Sequence, residues 1–329
     1  MPRNILPEPL ARLLQSHSAA YATHYPPSDN SDHGPMAYLA MHGLGIGYES
    51  IEAFADGYRR KLVPAPPPKE SVSADRWTAH IGRRESYSAL LAFFNHEIAR
   101  HGWEATVARY LPSLISGWVK DAFHPLIRLG YGIEFEAESE IAAGLAYLTI
   151  TGDDARLALL AKQRPTVPQG RAYLQAVQAM RDPAFARGPF NSRYRRIMQD
   201  APLAPDHADA TQELSRACLE AFHATHDFFA LHLVTSSHAF RVCAPWAGAN
   251  TGELFSVGIA AAYLAIGAPQ FDAVDDDTAV LPIARLAKAT DEHDIKLAYS
   301  SRAQAEAYGD STYEWVAAAY LSPRLPATG

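Results

Sequence analysis

Fourteen histidines stand in this chain of 329 residues, and several fall where neither a plain core nor a plain surface calls for an imidazole. Neutral imidazole is the commonest metal ligand among side chains, and histidine also changes charge near neutral pH. After Ala208 an apolar stripe, Leu214, Cys218, Ala221, Thr225, Phe228, His232, Thr235, Ala239, advances in steps of three and four, so a helix there turns His232 toward the core. An imidazole on that face is either a core histidine satisfied by hydrogen bonds or a metal ligand inside a helical bundle. In ATDEHDIKLAYSS, His293 and Lys296 stand three residues apart, on one face of a helix. The plain reading there is a solvated helix start, with Asp291 and Glu292 favouring the helix dipole and Lys296 in water. A buried Lys296 would be different, because desolvation lowers its pKa and exposes a neutral amine. Such an amine can take up carbon dioxide as a carbamate, an anionic oxygen ligand.

His33 lies just before a helical pattern in SDHGPMAYLAM, and His124 precedes Pro125, which suits the first turn of a helix. Both also read as loop or cap residues. His223 and His226 form an HxxH pair whose face is rotated from that of His232, and His238 likewise faces elsewhere, where it could support a site or meet a substrate.

The elements that must position these residues are helices. Apolar residues recur at three- and four-residue spacing among many alanines, and alternating runs of Val, Ile and Thr are nearly absent, which predicts an all-α, bundle-like fold in one large domain over 1–329. From Tyr87, YSALLAFFNHEIARHGW sets Leu90, Leu91, Phe94 and Ile98 on one stripe and closes at Gly102. Further helices are predicted over 8–17, 35–43, 48–62, 111–120, 137–150, 153–162, 170–181, 208–241, 251–267, 278–289, 292–306 and 311–321, separated by Pro, Gly or Asp. Residues 61–75, proline-rich and then polar, predict a stiff extended connection. The stretch 154–207, which includes GPFNSRYRR, is the most polar and loop-rich, and a subdivision there is left open.

Composition narrows the function classes. A net charge of −7 without clustered Lys and Arg argues against a nucleic-acid partner. Cys218 and Cys243, 25 residues apart with no CxxC, indicate neither a disulfide framework nor a thiolate zinc site. No secretory signal is read at the start, and Leu254–Ala268 is shorter than the roughly 20 residues that span a bilayer. A cytoplasmic protein without a membrane partner is expected. GLGIG at 43–47 lacks the third glycine of a dinucleotide fingerprint, and GxxxxGK[ST], GxSxG and HExxH do not occur.

Four segments, DHGPMAYLAMHGLG, ESYSALLAFFNHEIARHGWEATVARYLP, FHPLIRLGYGIEFE with AAGLAYL, and DFFALHLVTSSHAFR, resemble the questin oxidase family, which includes the anthraquinone ring-cleaving oxidases of fungal polyketide pathways; DEHDIKL extends the match more loosely. The resemblance implies an all-helical enzyme that uses dioxygen to open a ring of an aromatic or quinone substrate, by Baeyer–Villiger-type or dioxygenase-type cleavage. It implies Fe(II) in a non-haem, histidine-rich site with a carbamylated lysine. Carried onto this chain, the ligand role falls to His33, His124 and His232, then to His293 and Lys296, with Lys288 as the alternative lysine. Where many members read NHLPH, this chain has Met36 in place of the second histidine. His238 is the expected proton donor or acceptor, and Phe228, Phe229 and Tyr131 are candidate walls for a flat ring. NADPH as co-substrate and a homodimer stay open, as do two alternatives: a metal-free NADPH-dependent monooxygenase, and a non-catalytic helical protein that binds a flat aromatic ligand.

Overall fold

The apolar stripes become sixteen α-helices among the described residues of the computed structural model, which are 6–165, 169–207, 209–274 and 279–326. In chain order they are α1 (Glu8–Ala20), α2 (Gly34–Gly43), α3 (Tyr48–Tyr58), α4 (Tyr87–His101), α5 (Trp103–Tyr110), α6 (His124–Glu134), α7 (Glu138–Thr151) and α8 (Ala155–Leu160). Then follow α9 (Arg171–Gln178), α10 (Phe190–Asp200), α11 (Thr211–Thr225), α12 (Phe228–Cys243), α13 (Thr251–Ala265), α14 (Ile283–Leu286), α15 (Glu292–Tyr308) and α16 (Thr312–Leu321). A two-stranded antiparallel pair, His24–Tyr25 with Asn30–Ser31, is the one sheet among the described residues. The predicted all-α class is therefore observed. Among those residues no helix is long and apolar enough to cross a membrane.

At the centre α6 packs on α7 and α12, α12 packs on α11 and α15, and α15 packs on α2. Two glycines allow the α6 contacts. A Cβ on Gly130 would lie 2.8 Å from the Cα of Ala239 in α12, and one on Gly144 of α7 would lie 2.6 Å from the Cα of Leu129. The glycines of RLGYG and AAGLAYL thus set how closely backbones approach. Gly130→Ala is expected to push α6 from α12 and to cost about 1–3 kcal/mol, the usual range for overpacking a tight core, measured as a lower midpoint in urea. Because His124 starts α6 and His232 lies on α12, the same variant should also move these two histidines apart. The buried Arg128 of α6 ties the centre together, with Nε 2.8 Å from Glu140 of α7 and a guanidinium nitrogen 3.2 Å from the Ser18 hydroxyl of α1.

Several expectations are corrected. The helix expected over 208–241 is two helices, residue 208 lying outside the described residues. His226 takes a left-handed φ of 50°, and the Asp227 carboxylate accepts the amides of Phe229 and Ala230, so one helix ends and another is capped within two residues. The stripe drawn across that break fails at Phe228, which is 51% exposed. Instead of a helix over 111–120 there are short 3₁₀ turns, Leu111–Ser113, with Pro112 in its first positions, and Ile115–Gly117. Of 278–289, residue 278 lies outside the described residues and only Ile283–Leu286 is α-helical. The helices expected over 153–162 and 170–181 are the shorter α8 and α9, while α10 in the loop-rich stretch, α5 and the full length of α6 were not foreseen. Residues 62–73 carry no helix, as expected for the proline-rich connection.

Candidate metal centre

Four of the central elements bring the candidate ligands together. His33 caps the start of α2, its amide donating to the Tyr58 hydroxyl at 2.7 Å. His124 is the first residue of α6, His232 lies one turn into α12, and His293 and Lys296 occupy the first turns of α15. The rings of His33 and His124 are 4.3 Å apart between centroids, those of His33 and His293 4.6 Å, and those of His232 and His293 5.3 Å. The Nζ of Lys296 lies 2.9 Å from Nδ1 of His33. Lys296 has no exposed surface, so the solvated helix start does not occur; Lys288 is exposed and stands apart from this cluster.

Hydrogen bonds define the tautomers. Nδ1 of His124 meets the carbonyl of Asp121, and Nδ1 of His232 meets the carbonyl of Phe228 at 2.8 Å. A carbonyl only accepts, so each Nδ1 carries the proton and each Nε2 presents a lone pair. Those two Nε2 atoms face each other at 3.2 Å. Two facing lone pairs repel, and a cation shared between them removes the repulsion. Nδ1 of His293 is held by Asp291 at 2.9 Å, and its Nε2 is buried with no hydrogen-bond partner. Imidazoles oriented through one nitrogen with the other left free have the form of a metal-ligand set.

The electrostatics agree. Burial, with the neighbouring cations and imidazoles, holds His33, His124 and His232 well below the ordinary histidine value of 6.5, and His293 below it. All four are therefore neutral near pH 7 and able to coordinate. Burial brings Lys296 down to about 8, against the opposing pull of Glu292 and Asp291.

Unusual backbone places His124. Asp121, Ala122 and Phe123 take φ values of 50°, 50° and 69° in succession, a left-handed run of non-glycine residues, and such conformations concentrate at functional sites. Asn191 of α10 braces the run, accepting the Asp121 amide at 2.9 Å and donating to its carboxylate at 2.7 Å. Ala122→Gly is expected to raise stability by about 0.5–1 kcal/mol by relieving this strain, read as a higher thermal midpoint.

His33, His124 and His293 open onto a cavity of about 590 Å³. Phe190, Phe228 and Phe229 form an apolar wall, with the Phe190 and Phe229 rings stacked at 5.0 Å, and His24, Arg84, Asp121 and Asn191 form a polar one. Phe228 and Phe229 thus meet the expectation of a wall. Tyr131 does not: its hydroxyl is buried against Ser300, 3.0 Å away, and the carbonyl of Lys296.

His238 is also placed otherwise than expected. Its Nδ1 is 3.1 Å from Ser300 and its Nε2 is 3.0 Å from Glu134, and it is not among the residues that line the cavity. Six residues beyond His232, it faces roughly 120° away around α12 and meets Ser300, one turn of α15 past Lys296. His223 and His226 pack on Trp315 and Tyr320 of α16. Met36 is fully buried core.

The sequence reading missed Glu292, whose ligand atom lies with those of His33 and His293 in a group all within 4.8 Å of one another. It also missed the polar wall of His24, Arg84, Asp121 and Asn191, which is assembled from segments far apart in the chain.

The family described as questin oxidase-like matches residues 30–301, a span that holds all five candidate ligands. The chain belongs to the questin oxidase-like family. This questin oxidase-like chain is 30% identical over 152 residues to a Baeyer–Villiger oxidase of Pestalotiopsis fici, covering 42% of this chain and 34% of the relative. It is 30% identical over 146 residues to the questin oxidase of Aspergillus terreus, covering 41% and 33%. A Baeyer–Villiger oxidase of Paecilomyces divaricatus matches at 25% over 265 residues, 65% of this chain and 57% of that relative. The match spans about a third of the length of the first two.

Proposed function

We propose that this questin oxidase-like chain is an oxygen-dependent oxidoreductase that cleaves a ring of a flat aromatic or quinone substrate of the hydroxyanthraquinone kind. Its centre is a non-haem iron held by His33, His124, His232, His293 and a carbamate on Lys296. The observation that supports this most is the pair of facing Nε2 atoms of His124 and His232, beside the unpartnered Nε2 of His293, at the edge of an aromatic-walled cavity. Mainly imidazole ligation with one anionic oxygen suits iron, which when bound supplies the redox chemistry that lets dioxygen react with a closed-shell ring.

The protein's own groups do the rest. Phe190, Phe228 and Phe229 cover the faces of a flat ring, and the cavity volume falls in the range of small-molecule sites. Arg84 and Asn191 offer donors to phenolic or quinone oxygens. The neutral amine of Lys296 attacks carbon dioxide, an N–C bond forms, and the proton that leaves the nitrogen passes to solvent, so that His33, whose Nδ1 is 2.9 Å away, stays neutral as a ligand. Because His238 has no place on the cavity, proton transfer to a substrate is assigned to His24, which lines it with Nε2 shared between the Tyr147 hydroxyl at 3.0 Å and the Asp121 carboxylate at 3.3 Å.

The oxygen balance separates two forms of the reaction. When both atoms of dioxygen enter the product no reductant is needed; when one enters, the other leaves as water and consumes two electrons, for which NADPH is the proposed donor. The test is oxygen uptake by iron-loaded protein with a trihydroxyanthraquinone, with and without NADPH. Substrate-dependent uptake with a ring-opened product is expected. Binding of the quinone with no uptake in either condition would instead identify a non-catalytic binding protein.

A further inference from the structure

We infer that Glu292 is a further ligand of the proposed iron centre, offering a carboxylate oxygen from the cavity side, with Lys61 as the cation that competes for it and holds it when it is off the metal. The inference rests on the metal reading above. Glu292, His293 and Lys296 occupy the first two turns of α15, and the ligand atoms of Glu292, His33 and His293 lie within 4.8 Å of one another. Glu292 is 7% exposed and lines the cavity, whereas Lys296 is not among the cavity-lining residues.

Charge argues the same way. A divalent ion among four neutral imidazoles and one carbamate leaves a net positive charge in a buried place, and uncompensated buried charge is costly. The carboxylate of Glu292 supplies the balancing negative charge when it leaves its ion pair with Lys61. Its partner Lys61, with Nζ 3.1 Å from Oε1, keeps 39% of its side chain in solvent and rests 4.0 Å over the ring of Tyr58. Tyr58 in turn accepts the His33 amide, so the lysine is seated on the element that fixes the first ligand. A substrate oxygen entering the cavity meets Glu292 first, and Lys61 is placed to hold the displaced carboxylate.

Cobalt(II) titration of the full chain in bicarbonate buffer, followed by visible absorption, tests this. The wild type is expected to take up cobalt and His232→Ala to lose it. Glu292→Gln should bind about tenfold to a hundredfold more weakly, the scale of metal-site perturbations, with a changed absorption band. Lys61→Met should bind as tightly as the wild type or more so, because the competing cation is gone. Wild-type affinity and an unchanged band in Glu292→Gln would overturn the inference while leaving the metal centre standing; equal weakening in Glu292→Gln and Lys61→Met would also overturn it, by reducing Glu292 to an ion-pair partner. A wild type that takes up no cobalt would sink both readings. If Glu292→Gln fails to fold by circular dichroism, Glu292→Asp replaces it, with weaker binding expected and unchanged binding and band contradicting the inference.

Discussion

Lys296→Met is expected to lower turnover and iron affinity by about a hundredfold or more, since metal affinity depends on the number and ionisation of ligands. Methionine nearly preserves the volume of the lysine stem and removes the charge from a site with no exposed surface, so the fold should survive and the loss can be assigned to chemistry. Two further results separate a carbamate from a lysine that merely packs. Wild-type activity should fall when carbon dioxide is stripped from the buffer and return with bicarbonate. In Lys296→Ala, where the side chain leaves space, a small carboxylate such as propionate should restore part of the iron binding. Full activity of Lys296→Met would contradict the proposed ligand role.

Acid should destabilise the protein free of added metal steeply below pH 6.5. In the unfolded chain each imidazole binds its proton near 6.5, whereas in the folded chain burial and neighbouring groups hold His33, His124 and His232 well below that value. The unfolded state therefore binds more protons as the pH drops, and the stability present above 6.5 is lost. Each such proton changes the slope by about 1.4 kcal/mol per pH unit, so the three together give up to about 4. Urea midpoints between pH 5 and 8 measure this, and added iron should flatten the slope because coordination competes with protonation. His232→Gln, which removes one of the three, should reduce the slope by about a third. A flat profile over the same range would contradict the neutral, buried state of these histidines.

The helical class was legible because it rests on local pattern; the candidate ligands were named from local pattern and from the family resemblance together, and the fold brings them into one cluster. His232 interrupts an apolar face, and Pro125 marks His124 as a helix start; the motif match then singled out His33, His293 and Lys296. What escaped depends on contacts between distant segments. Asp227 captures two amides and splits a stripe that periodicity alone continues. Asn191 belongs to a stretch whose polarity reads as loop, yet Tyr194 and Ile197 of the same helix are buried. Glu292 reads as a dipole-favouring residue at a helix start, and only the packing of α15 against α2 turns it toward His33. His238 lies off the stripe that carries His232, and the sequence leaves it as a support or a substrate-facing residue until Glu134 and Ser300 are seen to occupy both of its nitrogens.

The most direct test of the central claim is metal content by plasma mass spectrometry on untagged protein purified anaerobically, with His232→Ala and Lys296→Ala in parallel. About one iron per chain is expected in the wild type, as a single histidine-rich site requires, with its loss in both variants. A wild type that retains no metal, even after iron reconstitution, would contradict that claim.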